Sequence, residues 1–397
     1  MTISWEGLMD PVSNPYAPGA GRPPAALVGR EAQLTAWDVA LRRVQAGRDA
    51  QSMVLYGLRG VGKTVLLSRF ARLAHERGWI VAQVEGRTGA SLRDGVGEAF
   101  HADLVDLARP GVGKRVLKAL RTALSFKASY DVTGTWTFGV DLDNADGGGA
   151  DTGVFESDLG KLLRDLSGAA EDRGVGVAVL VDEAQDLPLN ELVALCSIIH
   201  AANQHQDRLV LALAGLPSLP RKLAEAKSYA ERLFNYHEIG PLSDEDAFAA
   251  LTSPAESEGV DWEGPAVSLV VEAAVGYPYF LQQFGQDTWN VAAASPVARS
   301  DAKLGIATGQ LALDNGFFRI RWDRATTAEK NYLRAMAEDG DAGSASGDVA
   351  ARLGKKGRTL GPVRANLISK GLIYSPAYGV VAYTVPAMAE FVRRQRE

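Results

Sequence analysis

Gly57, Leu58, Arg59, Gly60, Val61, Gly62, Lys63 and Thr64 follow one another in the order G-x-x-x-x-G-K-[ST]. Glycines at these positions let successive backbone N–H groups turn toward one anion, the lysine can reach phosphate oxygens, and the threonine hydroxyl can ligate Mg2+. The eight residues lie between an apolar run and a segment of helical period, so the loop opens a helix whose N-terminus adds partial positive charge. The expected ligands are ATP and Mg2+. A weaker echo at Gly111-Val112-Gly113-Lys114 has Ala108 in place of the first glycine, Arg115 in place of the hydroxyl, and no apolar strand before it.

A second constellation is Val177-Ala178-Val179-Leu180-Val181-Asp182-Glu183, an apolar strand closing on two carboxylates. Asp182 at the strand end can hold the metal's hydration shell, and Glu183 can polarise an attacking water, which makes the pair suited to hydrolysis as well as binding. Gln185 and Asp186 follow and can serve either as polar sensors or as caps of the next helix.

The elements that must position these groups are legible in the hydrophobic periodicity. Runs at 53–56, 79–84, 177–181 and 209–214 have the length and continuity of strands buried on both faces. Segments such as Val65, Leu66, Phe70, Leu73 and Ala74, or Leu159, Leu162, Leu163, Leu166 and Ala170, repeat at helical spacing between them. Strands alternating with helices predict an α/β fold on a parallel sheet, as in P-loop NTPases. Tyr130, Val132, Trp136, Phe138, Val140 and Leu142 alternate around Gly134, which predicts a hairpin within an insertion at 125–153. The domain reading is an extended Pro/Gly-rich arm at 1–26, either docked or disordered, an α/β core at 27–240, a helical, strand-poor lid at 241–321, and a C-terminal domain at 322–397. In the last, helices are expected from Thr326 and Thr327 through Met336, over 348–353 and over 362–369. Runs at 372–374 and 380–385 follow, joined by a turn at 376–379, and the whole forms a winged helix-turn-helix pattern.

Composition removes several classes. The 42 Lys and Arg against 48 Asp and Glu give a net charge of −6, so the chain as a whole presents no basic field to nucleic acid. One cysteine, Cys196, excludes a disulfide framework and fits a reducing, cytoplasmic setting. It shares a helical face with Leu192, Leu195 and Ile199, which makes it a core residue. No apolar run reaches the ~18 residues that span a bilayer, and the N-terminus lacks the basic start and apolar stretch of a signal peptide.

On these residues the chain resembles AAA+-type P-loop ATPases of the origin-recognition-complex-like class and the neighbouring STAND ATPases. The resemblance extends to Leu27-Val28-Gly29-Arg30-Glu31, similar to the segment that borders the adenine, and to Gly276-Tyr277-Pro278, whose proline would lie against the base. It also covers Arg232, in a stretch that resembles the source of an arginine finger acting across a subunit boundary. That implies nucleotide contacts from Val28, Gly29, Arg30 and Pro278 and a possible homo-oligomer. Ala214-Gly215-Leu216-Pro217 stands where such ATPases place a polar sensor, and no arginine stands beside Pro278. These departures turn the resemblance toward the STAND side, in which nucleotide state acts as a switch with slow turnover.

The C-terminal domain breaks the charge balance. Between Val349 and Ala389 there is no acid, while Arg352, Lys355, Lys356, Arg358, Arg364 and Lys370 are all cationic. Lys355, Lys356, Arg358 and Thr359 precede the third expected helix and can meet phosphates of double-stranded DNA, with Arg364 reaching base edges. The expectation is a nucleotide-gated ATPase switch with a DNA-binding output. The alternative is a signalling or assembly adaptor whose winged helix and insertion bind protein.

Overall fold

The computed structural model describes residues 9–395 apart from 20, 88, 90, 110–111, 131–135, 137, 139 and 143–145. The apolar runs become β1 (Ser52–Tyr56), β2 (Ile80–Glu85), β3 (Val177–Asp182) and β4 (Leu209–Gly215), and Phe234–Glu238 adds β5. All pair in parallel in the order β2-β3-β4-β1-β5. β3 and β4 are buried along their whole length, as continuous apolar sequence requires of interior strands. β5 lies on an edge with only Phe234 fully buried, so its sequence Phe-Asn-Tyr-His-Glu carries a weaker strand signal.

Helices α1 (Glu31–Gln45), α2 (Lys63–Glu76), α3 (Arg93–Leu107), α4 (Lys114–Tyr130), α5 (Phe155–Glu171), α6 (Leu189–His205), α7 (Leu219–Ala226) and α8 (Ala230–Leu233) alternate with the strands. Trp37 of α1 stacks on Phe70 of α2 with ring centroids 4.9 Å apart and donates its indole N–H to the Phe70 carbonyl. The first six residues of the expected insertion belong to the end of α4. Most of the hairpin expected around Gly134 lies outside the described residues. Trp136 and Phe138, on the same alternating face, are buried, and Trp136 stacks on His101 and receives the Lys127 ammonium over its ring.

The chain divides into two compact units. The sheet unit comprises 32–56 and 66–238. The other gathers the arm up to Glu31, the Gly57–Val65 loop and the chain from Ile239 onward. In this second unit α9 (Asp244–Ser257), α10 (Gly264–Ala274), α11 (Pro278–Val291) and α12 (Arg299–Ala312) make up the helical segment expected as a lid. A π-helical turn at Leu313–Phe318 and the short α13 (Arg319–Asp323) follow. One bridge, Trp262 to Val297, is the sole β pairing among the described lid residues. The arm is docked: Tyr16 is buried edge-on to Trp262 and Trp289, and Asn14 donates to the Gln286 carbonyl and to Asn290.

The C-terminal part contains α14 (Thr327–Ala337), α15 (Ser346–Arg352), α16 (Gly357–Ser369) and α17 (Met388–Arg394). It also holds an antiparallel sheet of β6 (Ser344–Ala345), β7 (Ile373–Tyr374) and β8 (Val380–Tyr383) in the order β6-β8-β7. Thr326 caps α14 as its sequence predicts: its hydroxyl accepts from Glu329 N–H, and the Glu329 carboxylate accepts from Thr326 N–H. The third helix begins at Gly357 and not at Pro362, which sits inside it. Proline is favoured in a first turn, and that preference misplaced the boundary.

Candidate active site

The phosphate loop is built within the second unit. Gly60 and Gly62 have φ of +90° and +93°, conformations that L side chains rarely adopt. A Cβ on Gly62 would meet nothing within 4 Å, so the backbone there borders open space. Gly57 is required for a different reason: a Cβ there would overlap the Ile239 carbonyl oxygen. Lys63 is buried, and its ammonium donates to the carbonyls of Gly57 and Leu58 at 2.9 and 2.8 Å. Thr64, the expected metal ligand, is exposed in the first turn of α2. A Cβ on Gly21 of the arm would stand 3.6 Å from its methyl group. Glycine conformations, lysine and hydroxyl together fit a phosphate group and its cation.

Of the residues expected beside the base, Arg30 takes a different part. Its guanidinium is buried and donates to the Gly29, Val61 and Gly240 carbonyls, the last at 2.7 Å. It therefore ties the phosphate loop to the chain that follows Ile239, and its donors serve main chain instead of a base. Burial lowers its proton affinity, and Asp246 and Glu31 oppose that shift. Val28 is half-buried, and Gly29 lies against the Asp246 carboxylate, which a Cβ would approach to 2.7 Å. Pro278 is the first residue of α11. Its neighbour Tyr279 donates its N–H to the Gly60 carbonyl at 3.3 Å, so the start of this helix rests on the loop.

The carboxylates belong to the sheet unit, at the end of β3. Asp182 is buried, and its Oδ1 accepts the Glu183 N–H at 2.8 Å. Glu183 has φ 45° and ψ 37°, a left-handed conformation that costs a non-glycine residue about 1–2 kcal/mol. Gly86 makes room for it, since a Cβ there would stand 2.6 Å from the Glu183 carbonyl oxygen. Gln185 resolves the choice between cap and polar partner. Its Nε2 donates to Glu183 Oε2 at 2.6 Å, and its Oε1 accepts from Leu216 N–H at 2.9 Å, just beyond the end of β4. The side chain of Gln185 thus ties the loop after β3 to the main chain just beyond β4. Sequence spacing could not assign that role, because Gln185 and Leu216 meet only once β3 and β4 are paired.

Arg232 is exposed on α8; its carbonyl accepts from Gln51, and its side chain makes no ion pair with a described residue. Among the described residues no cluster of His, Cys, Asp or Glu could hold a metal by itself.

The cations of the C-terminal part are not equivalent, and the sequence could not separate them. Arg352 is engaged by both oxygens of Asp339 at 2.5 Å and by Glu338 at 3.2 Å, and Lys370 by Glu329 at 2.6 Å. Arg364 donates to Ser346 Oγ. Lys355, Lys356 and Arg358, with Thr359, are exposed around the N-terminus of α16, and these three cations make no ion pair with a described residue.

Sequence inspection also missed Arg321 on α13. Its guanidinium lies 3.9 Å over the Phe317 ring and donates to the Phe317 carbonyl at 2.6 Å. Burial, then the neighbouring Arg59 charge, push its proton affinity down to about 10. Nothing in its local sequence distinguishes it from a surface arginine.

Residues 26–212 match the AAA ATPase domain, and residues 315–392 match a domain of unknown function, DUF8462. Among solved structures the chain is similar to the Walker-type ATPase PABY2304 of Pyrococcus abyssi. The identity is 16%, 94% of this chain and 98% of that one are covered, and the TM-score is 0.56. It is similar at lower TM-scores to the Aeropyrum pernix ORC1 protein in complex with DNA (17% identity, 94% of each chain, 0.45). The Thermotoga maritima RuvB Holliday junction branch migration motor is a further such structure (14%, 93% and 96%, 0.42). No curated protein matches. The matched domain and the parallel five-stranded sheet make the first half of the chain a P-loop ATPase domain, for which nucleotide binding is the supported activity. No helix among the described residues is long and apolar enough to cross a membrane.

Proposed function

We propose that this protein is a slowly hydrolysing, cytoplasmic ATPase switch of the AAA+/STAND type whose nucleotide state controls a winged-helix domain that binds double-stranded DNA. The observation that carries the nucleotide part is the loop in which Gly60 and Gly62 take positive φ and Lys63 is held on the Gly57 carbonyl, within a matched AAA ATPase domain. In this reading the loop amides and Lys63 bind the phosphates, and Thr64 and Asp182 hold Mg2+. Magnesium, when bound, neutralises charge on the transferring phosphoryl group. Glu183, oriented by Gln185, polarises the attacking water. Arg232, exposed on α8, is assigned to a neighbouring subunit's nucleotide, where it would stabilise charge on the γ-phosphate.

The DNA part rests on α14, α15 and α16 with the sheet β6-β8-β7, and on Lys355, Lys356 and Arg358 exposed where α16 begins. DNA affinity measured across a salt series, with and without a non-hydrolysable ATP analogue, tests it. Each phosphate contact contributes about −0.9 to the slope of log K against log salt, so three cations give a slope of about −2.7. A nucleotide-dependent slope near that value supports the switch, and undetectable DNA binding removes its output.

One observation favours the adaptor reading. Tyr378, at the tip of the β7–β8 hairpin, is 99% exposed, and an uncovered aromatic ring suits a protein partner. ATP-dependent assembly without DNA affinity would select that alternative.

A further inference from the structure

Gln185 is buried, and three neighbours from the end of β4 and the stretch that follows it converge there. Gly215, the last residue of β4, leaves the room that the Gln185 side chain fills: a Cβ on it would stand 2.5 Å from Gln185 Oε1. Leu216 N–H meets that oxygen at 2.9 Å, and Lys222 of α7 donates from its ammonium to the Gln185 carbonyl at 2.6 Å. A backbone N–H can only donate, so the amide oxygen must face Leu216 and the NH2 group must face the Glu183 carboxylate, which it meets at 2.6 Å. Main chain and side chain of one residue are thus fixed from a single connection.

Lys222 is the member of this set whose residue type packing does not explain. Helix α7 buries Leu219 and Leu223 completely, and the half-buried position between them could take any side chain with an apolar stem. The preceding residue, Arg221, behaves as a helix-surface cation and lies 3.5 Å from Glu225 one turn on. Lys222 instead carries its charge to a carbonyl two residues from Glu183. A charged donor makes a shorter and stronger bond than a neutral one, and here it acts on a turn that has to be held. Glu183 is left-handed in that turn, a conformation that persists only where the surroundings over-determine it.

We propose that Lys222 is a positioning residue for hydrolysis: it holds the main chain at Gln185, so that the Gln185 amide keeps the Glu183 carboxylate in one orientation. This rests on the reading above of Glu183 as the group that polarises the attacking water. Removing the ammonium lets the turn relax and the carboxylate swing, and a base that is no longer aimed loses rate without any change in what is bound. Phosphate binding, assigned to the loop at 57–64, is left alone. The effect therefore falls on kcat and passes through Gln185.

Steady-state ATP hydrolysis by the full chain, measured beside equilibrium binding of a non-hydrolysable ATP analogue, tests this in a double-mutant cycle. Lys222→Met, which keeps the stem and removes the charge, is expected to lower kcat about tenfold and to leave analogue affinity within about twofold of wild type. Lys222→Arg should recover most of the loss. In a Gln185→Ala background Lys222→Met should cost nothing further, because no amide remains to be held. Should Lys222→Met fail to fold, Lys222→Gln, which loses the charge and the reach, carries the same comparison. Unchanged kcat in the charge-removing variant overturns the proposal, and so do losses that multiply in the double variant, since Lys222 would then act apart from Gln185. In both cases turnover that still depends on Glu183 leaves the ATPase reading standing. A wild-type chain that hydrolyses no ATP, or one whose turnover survives Glu183→Gln, overturns the reading and the proposal together.

Discussion

Lys63 is buried and donates to the Gly57 and Leu58 carbonyls of its own loop, which fixes its ammonium at that loop. Lys63→Ala is expected to weaken ATP binding at least tenfold in calorimetric titration. Glu183→Gln should keep nucleotide affinity and lower turnover by ~100-fold or more, the range expected for loss of a positioned base. Gln185→Ala should lower turnover in the same direction by freeing the Glu183 carboxylate, again with little change in nucleotide affinity. Single-turnover hydrolysis measured beside equilibrium binding separates these outcomes; a turnover loss matched by an equal loss of affinity would remove Gln185 from a positioning role. The motif residues themselves were readable from type and spacing, because the motif is a run of fixed residue types. Arg30 was not: its place near the loop could be read, but a guanidinium given over to main-chain carbonyls looks the same in sequence as one given to a ligand. Arg321 and Gln185 meet neighbours supplied by folding, and no local pattern announces them.

At the level of elements, the strands were legible where apolar residues follow one another without a break, as in the interior of β1, β3 and β4. Edge strand β5 and the two-residue β6 have no such requirement and carry little pattern. The boundary of α14 was legible because its cap is made of side chains, Thr326 and Glu329. Thr326→Ala should therefore lower stability by about 1 kcal/mol in denaturant unfolding, with the C-terminal segment losing protection first. Helix α6 places Cys196 in its buried face, and burial pushes the thiol up to about 11. Because burial penalises the thiolate, the reactive form is scarce at neutral pH. A disulfide reagent at pH 8 should modify Cys196 in the folded protein far more slowly than in guanidinium, and rapid labelling of the native chain would place α6 differently.

Across the whole molecule, charge and connectivity diverge from what composition suggests. The net charge of −6 conceals a local cationic cluster, but ion pairing with Asp339, Glu338 and Glu329 reduces six candidates to three exposed ones and Arg364. Neutralising Lys355, Lys356 and Arg358 together should flatten the salt dependence of DNA binding nearly completely, whereas Arg352→Ala should act on stability instead. A binding slope unaffected by the triple change would move any DNA contact elsewhere. The order of strands and helices along the chain was largely legible, yet the grouping of the Gly57–Val65 loop with the chain from Ile239 onward was not. Periodicity reports local elements, and that grouping arises from contacts between residues far apart in sequence.

The supports of the phosphate loop, namely the carbonyls of Gly240 and Thr384, Ile239 behind Gly57, and Tyr279 at Gly60, all come from beyond the last strand of the sheet. This matters for shuffling and for descent. A fragment ending at Glu238 would keep both nucleotide motifs as text and lose what holds one of them in shape. Exchange of the C-terminal half for that of another ATPase would demand a matching residue at position 59. Among natural homologues, position 59, whose guanidinium here lies against Gly371, should then vary in step with position 371, so that the least constrained letter of the motif records what the chain carries some three hundred residues later.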